Sequence, residues 1–318
     1  MTPELRGHLA MLLFSCLVAG SFSLGVLAAP HIAPAALNTV RFLIAAVIVG
    51  VAALATTGIH RSAFRAPWRY FVLGGVFGTY FVLMFEGLKT ADPVSASAVF
   101  TLVPVMAAGF GWLLLRQVTT RWMALALAVG ASGAVWVIFR ADLAALLRFE
   151  IGRGEWIYFW GCVAHALYTP LVPTLNRGEP PVVFTFGMLC AACITVGLYG
   201  AGDILATDWA ALPGIVWVTI LYVAIFASAM TFVLMQYAAL RLPSAKVMAY
   251  TYLVPSWVIL WEIARGSGLP PVVILAGVAL TVLSLLMLLR SDRVQPSGGT
   301  SSSLARNRSK ASRLTGSN

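Results

Sequence analysis

The sequence predicts an all-α polytopic membrane protein whose ten transmembrane helices form two inverted five-helix repeats. Three observations carry that prediction: an apolar, charge-poor composition, charge-free runs of bilayer length, and a segment that recurs 151 residues downstream. Of the 318 residues, 60% are hydrophobic and 10% charged, and the mean hydropathy is +0.90. Soluble domains carry about 25% charged residues. A soluble chain of 33.9 kDa has too small a core to hide this much apolar surface and too few charges to cover the outside. Lipid is therefore the solvent for most of the chain.

A span needs about 20 mainly apolar helical residues to cross roughly 30 Å of hydrocarbon. With charges read as punctuation, spans fall near 9–29, 36–57, 69–88, 94–115, 122–139, 156–175, 181–201, 214–237, 244–264 and 271–290. In the first span, Leu27-Ala28-Ala29 looks like a signal-peptide cleavage site. The apolar stretch before it is too long for a signal peptide and nine more spans follow, so the segment is read as retained. In the eighth, Pro213-Gly214 marks the start of a long charge-free run.

Ten spans place both termini on one side. With those termini inside, fifteen Lys and Arg fall on the inner side and five on the outer: Lys89, Arg140, Arg148, Arg153 and Arg265. The positive-inside rule then puts both ends in the cytoplasm. The net charge of +10 sits at span ends and in the C-terminal tail, not on one face interleaved with aromatics. That pattern marks topology and excludes a nucleic-acid partner. Cys16, Cys162, Cys190 and Cys193 all lie in apolar runs. Cys190 and Cys193 have redox or zinc spacing without a second ligand pair, so they are read as small packing residues.

The repeat is visible in the residues. Thr101-Leu102-Val103-Pro104 in span four follows Ala91-Asp92-Pro93-Val94-Ser95, and Tyr252-Leu253-Val254-Pro255 in span nine follows Leu242-Pro243-Ser244-Ala245-Lys246. Each is followed by a Trp-containing apolar stretch, a polar break and one more span, holding Gly130 or Gly277. An odd-numbered repeat enters the membrane in the opposite orientation the second time. That architecture lets a site at the repeat interface face each side in turn. The units are residues 1–139 and 156–290, joined by an extracytoplasmic linker at 140–155 and followed by a basic, Ser/Gly-rich tail at 291–318. Residues 142–149 of the linker have the pattern of a short amphipathic interfacial helix. The tail composition predicts disorder.

Several of these segments resemble EamA-type proteins of the drug/metabolite transporter superfamily. Arg41-Phe42-Leu43-Ile44-Ala45-Ala46 resembles the family's arginine-centred motif in span two. Phe85-Glu86-Gly87-Leu88-Lys89-Thr90-Ala91, running into Val103-Pro104, is similar to its third-to-fourth helix junction. Gln236-Tyr237-Ala238-Ala239-Leu240, followed by Leu253-Val254-Pro255, is similar to the second unit. The likeness covers roughly residues 8–290. One departure is Arg116-Gln117, which stands where the family often has Gly-Glu, with Glu262 earlier than the second unit's glutamate would be. No role for that glutamate carries over. The resemblance implies a secondary transporter of a bacterial inner membrane, exporting amino acids or other small metabolites by alternating access. Proton coupling is one reading and an uncoupled facilitator or exchanger the other.

Charged groups at membrane depth cost several kcal/mol by insertion scales, so Arg41, Glu86 and His165 stand out. Arg41 lies near the outer start of span two and Glu86 near the outer end of span three, on antiparallel neighbours. They are read either as a structural ion pair or with Glu86 as a coupling carboxylate on the cavity; snorkelling to the interface is a third reading. His165, mid-span in helix six, either hydrogen-bonds across helices or contacts substrate or protons, with Pro170 and Pro173 behind it freeing backbone carbonyls. Pro104 and Pro255 are expected to kink their helices as matched hinges. Under the repeat offset Tyr237 is the counterpart of Glu86, and Gln236/Tyr237 become the expected opposite wall. Gly74-x-x-x-Gly78, Ser21-x-x-x-Gly25 and the 107–111 small-residue cluster are read as helix-contact stripes.

No Walker A loop, His-Glu-x-x-His or metal-suited carboxylate cluster occurs, and no Ser/His/Asp set meets at one depth. Catalytic residues, metal ligands and cofactors are therefore not expected, and an intramembrane enzyme or purely structural role is the weaker reading. The expected partners are a small-molecule substrate and the lipid bilayer; the sequence is also compatible with a homodimer.

Overall fold

The computed structural model describes residues 2–239, 241–242 and 244–291, with the side chains of residues 236, 239, 244–246 and 291 outside that description. The predicted tail thus lies almost wholly outside the described residues. Helices begin where the sequence supplies caps. Pro3, Pro34, Pro93 and Pro181 each open a helix, where a missing N–H costs nothing. Asp92 accepts from the Val94 and Ser95 backbone N–H at 2.9 and 3.3 Å, and Thr120 Oγ1 accepts from Met123 N–H at 3.2 Å.

In chain order the helices of the first unit are α1 (Pro3–Ala28), α2 (Pro34–Thr56), α3 (Trp68–Gly87), α4 (Pro93–Phe100), α5 (Val103–Leu115) and α6 (Arg121–Ile138). After α7 (Leu143–Leu147) the second unit follows: α8 (Arg153–Leu175), α9 (Pro181–Tyr199), α10 (Ala201–Ala206), α11 (Gly214–Ala224), α12 (Thr231–Ala239), α13 (Ser244–Ala249), α14 (Val254–Ala264) and α15 (Val272–Ser291). Among the described residues, nine helical stretches are long and apolar enough to cross a bilayer. The other long helix is α8, with 23 residues, whose Arg153, Glu155, His165 and two prolines lower its hydropathy.

The packing repeats with the halves exchanged. Helix α3 packs on α8 and α9, as α11 packs on α1 and α2; α5 meets α8 as α14 meets α1. The α2–α9 and α6–α15 pairs close the pattern. Along α6–α15 the backbones meet at glycine: a Cβ on Gly133 would stand 2.5 Å from the Gly277 carbonyl oxygen. Spans four and nine are both interrupted, and here the prolines differ from expectation. Pro104 and Pro255 are not mid-helix kinks. Each sits in the first turn of a new helix, after a turn at residues 101–102 in one case and a 3₁₀ turn, Tyr250–Leu253, in the other. The first turn is where proline's missing donor is tolerated, so the chain breaks ahead of the ring instead of bending around it.

The linker does form α7, capped by Asp142, whose carboxylate accepts from the Ala144 and Ala145 N–H at 2.7 and 3.2 Å. Leu143, Leu147 and Phe149 are exposed around it.

Candidate functional site

A cavity of about 110 Å³ lies between the two units and takes its walls from both. Helix α1 contributes Met11, Phe14, Val18 and Ser21, and α3 contributes Phe77, Tyr80, Phe81 and Met84. The second unit contributes His165 from α8, Thr231 and Met235 from α12, and Val247, Met248 and Thr251 around the break in span nine. The helix breaks thus have a positional consequence: Phe100, the last residue of α4, and Thr251, in the 3₁₀ turn, both reach the wall.

Arg41 is fully buried on this wall. Its Nε donates to Ser228 Oγ at 3.1 Å, and its guanidinium carbon stands 3.6 Å from the centre of the Phe81 ring, a cation–π contact. Ser228 belongs to a π-helical turn, Ile225–Met230, inserted between α11 and α12. Its hydroxyl donates to the Val223 carbonyl at 2.8 Å, which leaves the oxygen lone pairs for Arg41. The Arg41 Nη1 has no hydrogen-bond partner.

The expected Arg41–Glu86 pair does not form. Glu86 binds Lys89 at 2.7 Å, its side chain is 39% exposed, and it does not line the cavity. A lysine three residues on in the same chain reaches the carboxylate at the helix end, while the Arg41 side chain is drawn inward to Ser228 and Phe81. Such an exposed pair is worth well under about 1 kcal/mol.

His165 does face the cavity, at Tyr80 (ring centres 4.5 Å apart), Phe100 (5.7 Å), Tyr168 (6.0 Å) and Phe77 (6.4 Å). The expected cross-helix hydrogen bond is not made: Nδ1 is buried without a partner. Beside it, the Tyr80 and Tyr158 hydroxyls are 3.2 Å apart. Tyr237 is not on the opposite wall; its ring lies 3.6 Å under the Arg241 guanidinium, away from the cavity. Gln236 is part of α12, and its side chain lies outside the described residues. Pro170 is buried inside α8 below His165, with the Thr174 hydroxyl donating to its carbonyl at 2.8 Å.

Arg41 and His165 are therefore brought to one cavity, and Glu86 and Tyr237 are not. Sequence reasoning missed Ser228 and the aromatic walls of Phe77, Phe81 and Phe100. Phe77 and Phe81 recur on α3 at i and i+4, a spacing indistinguishable in sequence from ordinary core packing.

Comparison with known proteins agrees with this architecture. The model of the EamA-like transporter family matches twice, at residues 5–139 and 152–290. The chain is 26% identical over 289 residues to "Uncharacterized transporter YyaM" of Bacillus subtilis (strain 168), covering 89% of this chain and 93% of that protein. A shorter likeness, 35% over 107 residues, joins it to "Aromatic amino acid exporter YddG" of Ancylobacter novellus, covering 33% of this chain and 35% of that one. A solved crystal structure shares the fold with a TM-score of 0.66 at 22% identity, over 92% of this chain and 99% of that one. Two matches that between them span most of the chain, on a fold of two interlocked five-helix units, establish that the protein is a member of the EamA-like transporter family.

Proposed function

We propose that this chain is a secondary transporter that exports amino acids or other small metabolites across a bacterial inner membrane by alternating access. The observation that carries the reading is the cavity walled by both repeats, in which Arg41 and His165 each hold a buried nitrogen with no protein partner. Rocking of units 1–139 and 156–290 about this point, with the 140–155 linker joining them, would present the cavity to either side. A shorter relative that carries the name of an amino acid exporter supports the substrate class.

Coupling is assigned to His165, among the described residues the one histidine on the cavity wall. The other titratable or charged groups facing it are Tyr80 from α3, Tyr168 on its own helix and Arg41 across the cavity. In proteoliposomes, a pH gradient is expected to drive net accumulation of substrate. His165→Gln is expected to cut that accumulation at least tenfold while exchange remains measurable, because the amide keeps a hydrogen-bonding group on the wall and does not titrate. Gradient-driven accumulation by His165→Gln equal to wild type would defeat the assignment. Transport by wild type that ignores the gradient would favour the uncoupled facilitator, in which the imidazole contacts substrate without titrating.

The charge asymmetry supports cytoplasmic termini and an outward-facing linker. Cysteines introduced by Ala145→Cys and Ser303→Cys are expected to react with an impermeant thiol reagent from outside and only after lysis, respectively. The reverse pattern would invert the topology.

A further inference from the structure

We infer that the cavity selects small organic carboxylates with an aromatic or apolar body and a net negative charge, and that the carboxylate of the substrate is the counter-ion of Arg41. This rests on the transporter reading above and sharpens it, because it separates anionic acids from zwitterionic amino acids.

A guanidinium does not lose its proton in a protein, so burying it without an anion leaves a charge uncompensated. Around Arg41 the described residues supply the Ser228 hydroxyl and two aromatic rings, Phe81 at 3.6 Å and Phe42 at 5.8 Å, and no anion. Glu86, the acidic partner that the sequence offered for Arg41, is spent on Lys89 at the helix end. Among the described residues no Asp or Glu lines the cavity. With Nε committed to Ser228, the remaining donors include the unpartnered Nη1, and a planar guanidinium edge matches a carboxylate. On the same cavity the His165 Nδ1 also lacks a partner, which gives a bound oxygen acid a second polar contact.

The rest of the wall fits a flat apolar body: Phe14, Phe77, Phe100 and Met84 line it, with few polar atoms between them. What the wall lacks is as specific. An α-ammonium group would bring a second cation beside Arg41 and find hydroxyls and ring faces but no carboxylate. Charge balance therefore ranks ligands with one ring and different charge: carboxylate first, zwitterion second, amine last.

The test uses the full-length protein in proteoliposomes with four compounds that share a phenyl ring and a short chain. They are 3-phenylpropanoate, 3-phenyllactate, L-phenylalanine and 2-phenylethylamine, each measured by thermal-shift binding and by counterflow. Both acids are expected to bind at least tenfold more tightly than phenylalanine, and the amine not at all. Arg41→Gln should erase the preference for the acids over the zwitterion, and Arg41→Lys should weaken acid binding about tenfold. A variant that fails to fold leaves the wild-type ranking as the deciding measurement. Phenylalanine binding as tightly as the acids, or an unchanged ranking in folded Arg41→Gln, would overturn the inference while the transporter reading stands. Movement of other metabolites but none of the four would do the same. Failure of every compound in a broad metabolite panel to move would defeat the transporter reading itself.

Discussion

Replacing Arg69 by Ala should lower the thermal unfolding temperature of the purified protein by roughly 5 °C, the largest single loss expected outside the cavity. Arg69 lies in the first turn of α3 and is 2% exposed. Its Nη2 meets Glu179 Oε1 at 2.6 Å, its Nη1 donates to the Leu175 carbonyl at 2.6 Å, and its Nε donates to the Ala66 carbonyl at 3.2 Å. Glu179 lies in the turn between α8 and α9, so one side chain ties the first unit to the second at the end away from the linker. Truncation strands a largely buried carboxylate and several carbonyls together, a loss of about 3 kcal/mol. The companion change Glu179→Gln in the Arg69→Ala background should recover part of that, because it removes the stranded charge. Equal melting temperatures for wild type and Arg69→Ala would show the tie contributes nothing.

The same pair gives the protein an acid limit. Burial pushes the Glu179 carboxyl up, but the hydrogen bond from Arg69, the Arg177 backbone N–H and the charge of Arg69 together hold it below its ordinary value. A carboxyl with a lower value folded than unfolded contributes its full stabilisation above the unfolded value of about 4.3. That contribution is lost as pH falls through the lower, folded value. Wild type should therefore lose its advantage over the Arg69→Ala/Glu179→Gln protein only below about pH 4.

The architecture was legible because its causes are linear in the chain: lipid demands long charge-free runs, and a repeat keeps its own residues. The cap at Asp92 ahead of Pro93 belongs to the same class; the breaks before Pro104 and Pro255 do not, because a mid-span proline reads as a kink until the turn ahead of it is seen. The site was legible only in part. Arg41 and His165 announced themselves by the expense of polarity at membrane depth. Arg41's partner did not, because Ser228 is delivered by a π-helical turn that inserts a residue into α11–α12 and leaves no sequence signature. Tyr237, the counterpart of Glu86 under the repeat offset, lies off the cavity as Glu86 does, so the offset holds while the expectation that either faces the cavity does not. Small-residue stripes divide in the same way: a Cβ on Gly78 would meet Val196 at 2.5 Å, whereas one on Gly109 in the 107–111 cluster would meet nothing within 4 Å. Spacing names a stripe, and the neighbour that covers it is decided elsewhere in the chain.

Gly74 and Gly75 turn that distinction into a measurement. They are adjacent in α3, identical in chemistry and equal in the helix propensity that each gives up relative to alanine, about 1 kcal/mol. Their surroundings differ. A Cβ on Gly74 would stand 2.5 Å from the Ala192 backbone nitrogen and 2.9 Å from the Met188 carbonyl oxygen, because α9 crosses α3 there. On Gly75 the same atom would meet nothing within 4 Å. The obstacle at Gly74 is backbone on both counts, so no rotamer change relieves it, and α9 must move away from α3. Overpacking of this kind costs about 1–3 kcal/mol, and at a backbone contact the upper end applies. Gly74→Ala should therefore lower the melting temperature by several degrees and reduce the yield of folded protein. Gly75→Ala, with only the propensity gain to express, should match or slightly exceed wild type. Transport measured on the same preparations should follow, since α3 carries Phe77, Tyr80, Phe81 and Met84 onto the cavity wall and α9 sets its position. Equal stability for the two variants would mean that α3 and α9 do not approach at Gly74, and the placement of the cavity's aromatic wall would fall with that contact.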